Sequence, residues 1–303
     1  MKTSIALIGI PESGFADEVA SSLGDDLLSC HMLSLDAPME GKPVVVSAEG
    51  LIWEGVDLQE CGAVFVERPL FSWPQTRLPF EGEGKGLTID EWSVFQRETA
   101  ALSISALLAA ADRVRLVNPP FAAHMAASPA IALEVIAGSG LPVHPWRLEP
   151  APPPGRSESG PVLDICGRER WHFPRRPGKG GPALMLDPVP GGIAIYLVVG
   201  GGCAGTLQFP DGEAWARWNE AANNGEKVRT APIADSGTAA DEADMAIRAA
   251  RALGLDFAAV SIREDESRPS VVYCEASPDL ADWNGLLGGR AAAALADYLA
   301  SLC

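Results

Sequence analysis

The chain is short of cations. It holds 23 Lys and Arg against 40 Asp and Glu, a formal charge of −17 over 303 residues. Nucleic-acid backbones and anionic membrane surfaces both need clustered Lys and Arg, so no nucleic acid and no membrane is expected as a partner. Long apolar runs are also missing: none approaches the ~18 residues that a spanning helix requires. The first ten residues, MKTSIALIGI, lead into acidic sequence and read as a first strand, not a signal peptide. The six Cys, at 30, 61, 166, 203, 274 and 303, form neither a Cys-x-x-Cys pair nor a Cys/His zinc spacing. Reduced thiols in a cytoplasmic protein are the expectation. No Gly-x-Ser-x-Gly, His-Glu-x-x-His or phosphate-loop motif occurs.

What is present argues for a folded chain. Hydrophobic residues make up 47% and charged residues 21%, which excludes a disordered polymer. Strand-like runs at 3–10, 27–35, 43–47, 50–53 and 62–67 alternate with a helical pattern at 15–23. That alternation predicts a mostly parallel α/β layer. Residues 69–86 hold Pro and Gly throughout and predict a long loop. Thr88-Ile-Asp-Glu91 is a capping box that opens a helix to about 111. A strand at 113–117 and two short helices, 121–127 and 129–139, follow. Residues 149–160 are Pro/Gly/Ser-rich and read as a linker. Short β runs come next at 161–166, 169–173 and 183–189. A hairpin is expected from 193–199 and 203–209 around Gly200–Gly202. A helix at 238–253, strands at 256–264 and 270–276, and an Ala-rich helix at 286–301 complete the chain.

Four segments in order carry a family resemblance. Asn118-Pro-Pro leads through a helix to Leu141-Pro-Val-His-Pro145. The hairpin 193–207 reads IAIYLVVGGGCAGTL. A helix ends in Gly254-Leu-Asp before Phe257-Ala-Ala-Val-Ser261. Val271-Val-Tyr-Cys-Glu275 then precedes Ala-Ser-Pro278. Over about 115–303 this pattern resembles the ATP-grasp ligases, in particular the ribosomal-protein glutamate ligase (RimK) type. The resemblance implies an α/β and α+β fold in three parts. They are an N-terminal α/β domain (1–117), a small ATP-grasp subdomain (118–190) and a C-terminal subdomain (191–303).

The resemblance also implies a chemistry. Such enzymes activate a carboxylate with ATP as an acyl phosphate, and an amine then attacks to give an amide. ATP and Mg²⁺ are the implied cofactors, and a small-molecule or peptide carboxylate is the implied substrate. Glutamate addition to a protein tail or a cofactor is one form of it. The family's metal-binding Glu is kept as Glu275, its Asp falls on Ser261 and its Asn on Ser277. Asp279 or Asp282 is the replacement carboxylate. Arg217 and Asn219 match the family's Arg-x-Asn pair, which would meet the γ-phosphate. Asp187 falls in the adenine-hinge segment. The family's phosphate-binding Lys positions fall on Pro129 and near Ile165, and an expected Arg falls on Ile195.

The residues themselves leave alternatives open. Arg175-Arg-Pro-Gly-Lys179-Gly180-Gly181 is a basic, Gly-rich loop. Its backbone N–H groups suit a phosphate, with Arg175 and Lys179 adding charge; a solvated hairpin tip is the alternative. Arg68 and Arg77 lie among Phe71, Trp73 and Phe80 and suit a substrate carboxylate; a loop packed on itself is the alternative. Glu275 holds a metal or caps the following loop, and Arg217 and Asn219 act or sit in an exposed turn. At the level of function, the alternative to a ligase is a non-catalytic relative serving as the binding or scaffold subunit of a protein partner. The missing Lys and metal positions favour that alternative.

Overall fold

β-branched and apolar runs build the strands, and Gly and Pro punctuate them. The computed structural model describes residues 4–9, 14–23, 29–34, 37, 41–47, 50–67, 105, 107–108, 113–150, 182–186, 191–212, 214–215, 218, 233–234, 240–264, 268–278 and 280–303. In chain order the elements begin with β1 (Ser4–Gly9), α1 (Phe15–Leu23), β2 (Ser29–Ser34), β3 (Val44–Val46), β4 (Leu51–Trp53), β5 (Val56–Asp57), β6 (Ala63–Val66) and β7 (Leu116–Val117). Next come α2 (Pro120–Ala126), α3 (Pro129–Gly138), β8 (Trp146–Pro150), β9 (Pro182–Leu186), β10 (Ile193–Val199), β11 (Gly202–Phe209) and β12 (Ile233–Ala234). The chain finishes with α4 (Ala240–Ala252), β13 (Phe257–Arg263), β14 (Ser270–Glu275), α5 (Leu280–Leu286) and α6 (Arg290–Ser301). No single helix among the described residues is long and apolar enough to cross a membrane.

The chain forms two compact units, 1–124 with 277–303, and 125–276. In the first, β2, β1, β6 and β7 lie side by side in that order, all parallel. Residues Ile5–Ile8 of β1 are buried on both faces, as the unbroken apolar run demands of a central parallel strand. An antiparallel sheet of β3, β4 and β5 stands beside it. Trp53 is buried there and its indole N–H donates to the Ser34 carbonyl at 2.9 Å. Helices α1 and α6 pack on each other, so the end of the chain completes the unit that its beginning starts. Gly62 permits this closure: a Cβ there would sit 2.5 Å from Cys303 Sγ.

The second unit is built on an antiparallel sheet in the order β12-β11-β10-β13-β14. Helix α4 packs over β10, β11, β13 and β14, and α3 packs against β14. The β10–β11 turn uses positive φ at Gly200 and Gly201, 58° and 85°, which is why glycine stands there.

Three expectations are corrected. Residues 149 and 150 belong to β8, paired with β9, and not to a linker. Pro150 opposes Pro182 at the ladder's end, where neither missing N–H is needed. The Ala-rich helix expected at 286–301 begins only at Arg290, because Gly288 and Gly289 take φ of 62° and 90°, and a further helix, α5, precedes them. The strand at 113–117 shrinks to Leu116–Val117. The loop at 69–86, the capping box at 88–91 and the β runs at 161–173 lie outside the described residues.

Candidate functional site

Strand periodicity assigns the two faces of the five-stranded sheet. Directly paired residues share a face, and successive residues alternate. Tyr196 on β10 faces α4, since its hydroxyl donates to Glu242 Oε2 at 2.6 Å. Gln208, level with Ala194, points the same way and donates to Glu264 Oε1 at 3.1 Å. These groups satisfy one another. Burial and then the Glu242 charge push the Glu264 carboxyl above its ordinary value. Burial and hydrogen bonding to Glu242 push the Tyr196 hydroxyl up.

The other face is composed differently. Its rows follow from the register: Leu197–Ala259–Glu275, then Ile195–Ser261–Tyr273, then Phe209–Ile193–Arg263. Ile195, Leu197, Ala259, Phe209 and Tyr273 are buried. A carboxylate, a hydroxyl and a guanidinium are among the polar groups on that ground, with buried Ser270 level with the last of them. Glu275 is a half-buried carboxylate at the last position of β14. Ser261 is a buried hydroxyl one row away. Arg263 is a half-buried guanidinium one row further. Beside Glu275, burial and the carboxylate's charge push the Cys274 thiol up to about 12, so it is no nucleophile at neutral pH.

A helical turn follows β11 on this side. Asp211 Oδ1 accepts from the Ala214 N–H at 2.7 Å and starts the turn. Trp215 is fully buried. The Trp218 ring packs on Phe209 with centroids 5.4 Å apart and planes tilted by 53°.

Of the site residues read from the sequence, Glu275 and Asp282 are described, and Asp282 is exposed in the first turn of α5. Arg68, Arg77, Arg175, Lys179, Gly180, Asp187, Arg217, Asn219 and Asp279 lie outside the described residues. Ile195, where the resemblance expects Arg, is buried one row from Glu275. Pro129 opens α3, where the lack of an N–H costs nothing. Arg263 escaped the sequence reading. Its only signal was strand parity with Ser261, two positions earlier.

Among the described residues no group of three or more His, Cys, Asp and Glu gathers as a metal cluster. Glu275 and Ser261 nonetheless offer only oxygen, which suits a hard cation. One carboxylate is enough where substrate phosphates complete the shell, as is usual for Mg²⁺.

No protein-family model matches the chain, and no curated protein sequence matches it. Solved structures do. The ATP-grasp ligase PsnB, in complex with a minimal precursor, is 16% identical over 99% of this chain and 100% of its own, with a TM-score of 0.69. PsnB has also been solved with Mg and ADP and with AMPPNP. The macrocyclase MdnC from Microcystis aeruginosa MRC, bound with precursor peptide MdnA, is 11% identical over 98% of this chain and 99% of its own, with a TM-score of 0.67. A RimK domain ATP-grasp protein from Sphaerobacter thermophilus DSM 20745 is 16% identical over 97% of this chain and 98% of its own, with a TM-score of 0.53. The chain therefore has an ATP-grasp, RimK-like fold.

Proposed function

We propose that the protein is an ATP-dependent ligase that joins a peptide carboxylate to an amine. The observation that carries this reading is Glu275. It is a half-buried carboxylate ending a strand, on the sheet face away from α4. The fold around it is one whose solved examples include complexes with nucleotide and with precursor peptide.

The chemistry balances in two steps. A carboxylate oxygen of the substrate takes the γ-phosphoryl group of ATP, and ADP leaves. An amine nitrogen then attacks the acyl carbon, phosphate leaves, and the amine loses a proton. Phosphoryl transfer needs positioning and charge neutralisation more than covalent help from the protein. Glu275, with Ser261 on the next row, would hold Mg²⁺, which supplies charge neutralisation at the phosphates. Asp279 would add a second carboxylate. Arg217 and Asn219 would meet the γ-phosphate. Arg175, Lys179 and Gly180 would cover the phosphates, and Asp187 would line the adenine side. Arg68 and Arg77 would hold the substrate carboxylate. Glutamate addition to a protein tail is a narrower form of the same reaction.

A second reading has a specific observation behind it. Ile195 is apolar where a phosphate-binding cation is expected and Ser261 uncharged where a metal-binding Asp is expected, so two charges that the ligase chemistry would use are missing from the face. A non-catalytic subunit that binds a peptide or a partner enzyme needs no such charge. Calorimetry separates the two. Titration of the protein with ATP in excess Mg²⁺ should give saturable heat below millimolar concentrations. Absence of heat at millimolar ATP overturns the ligase reading and leaves the scaffold.

A further inference from the structure

The ligase reading leaves a deficit of positive charge at the site. The expected Arg falls on Ile195, and the phosphate-binding Lys positions fall on Pro129 and near Ile165. Yet the Glu275 face does carry a cation. Arg263 is level with Ile193 on one side and Ser270 on the other. It shares parity with Ser261 and Ala259, and Ala259 is level with Glu275. Its sequence neighbour Glu264 points to the α4 face, where Gln208 donates to it. Alternation thus directs Arg263 away from Glu264 and onto the candidate site.

From this placement we infer that Arg263 is an oxyanion-binding residue of the site, a replacement for the expected cations. A guanidinium presents a planar fork of donors that matches phosphate and carboxylate oxygens alike. It sits two rows from Glu275 along the same face, with Ser261 between. A metal-holding carboxylate and an oxyanion-holding guanidinium so separated suit the two ends of a charged group. The oxyanion is a nucleotide phosphate or a substrate carboxylate, and the two are separable by experiment. The inference rests on the ligase reading of the site.

The test compares wild type with Arg263→Met and Arg263→Lys. Calorimetry reads binding of ATP with Mg²⁺ and of AMP. Fluorescence anisotropy reads a labelled synthetic peptide of Asp and Glu. Loss of one charge-assisted contact should weaken the affected ligand about tenfold or more. If the oxyanion is a phosphate, Arg263→Met weakens ATP with Mg²⁺ by that factor and AMP much less, and Arg263→Lys restores part of it. If it is a carboxylate, ATP binding is unchanged and the acidic peptide weakens instead. Either result supports the role. Wild type binding ATP while Arg263→Met binds both ligands equally well overturns the role of Arg263 and leaves the ligase reading intact. Wild type binding no ATP overturns the ligase reading, and this inference with it. If circular dichroism shows that Arg263→Met fails to fold, Arg263→Gln takes its place with the same outcomes.

Discussion

The two faces of the five-stranded sheet use polar residues in opposite ways. Under α4, Tyr196 is tied to Glu242 and Gln208 to Glu264, so each polar group has a partner from another element. On the reverse face, Glu275, Ser261 and Arg263 occupy successive rows. Polar groups that satisfy one another lock a helix to a sheet. The carboxylate, hydroxyl and guanidinium spread along the other face are the groups of the proposed site. The contrast separates the structural side of one sheet from the side proposed to be functional.

The contrast predicts which face costs activity and which costs stability. The largest effect is expected at Glu275. Replacement by Gln should lower peptide-dependent ADP release about a hundredfold or more, since charge neutralisation dominates phosphoryl transfer. The urea midpoint should stay near that of wild type, because Glu275 is half-buried at a strand end. A comparable loss of stability would erase the distinction between the faces.

The second effect belongs to the α4 face. Tyr196→Phe removes the donor to Glu242 in a buried setting and should destabilise by about 1–3 kcal/mol. Urea denaturation measures it, and ATP affinity should not change. Altered ATP affinity would show that the helix face feeds into the site.

The smallest effect is a pH dependence. Burial and the Glu242 charge hold Glu264 above the ordinary carboxyl value of 4.5 in the folded state. A raised carboxyl favours folding in its protonated form. That contribution is fully present below the unfolded value and is lost as pH rises through the folded one. Glu264→Gln keeps an acceptor for Gln208 and removes the charge. The variant should therefore match wild type near pH 4 and exceed it in thermal midpoint at pH 7 to 8. A constant difference across that range would show that Glu264 titrates normally.

Much of the secondary structure was legible because its cause is local. Ile5–Ile8, the IAIYLVV run and the Gly200–Gly201 turn declare themselves through apolar continuity and glycine. The 3₁₀ turn at Leu58–Glu60 was missed, since its signal is one Asp57 side chain accepting from the Gln59 N–H. The site was less legible. Glu275 stands out through its place before Ser-Pro, whereas Arg263 looks like any charged residue at a strand end. Its relevance depends on which face of the sheet it shares.

The sequence by itself determined the alternation of strands and helices, the hairpin, and the order of segments that resembles the ATP-grasp ligases. Each depends on neighbours a few residues apart. Tertiary structure alone decided that the segment from Ser277 onward rejoins the first unit through α6. It also decided that Tyr196 meets Glu242, and that Glu275, Ser261 and Arg263 share a face. Those relations arise from the pairing of strands far apart in the chain. Strand periodicity tells which residues share a side but not which side is covered, and only the packing of α4 settles that.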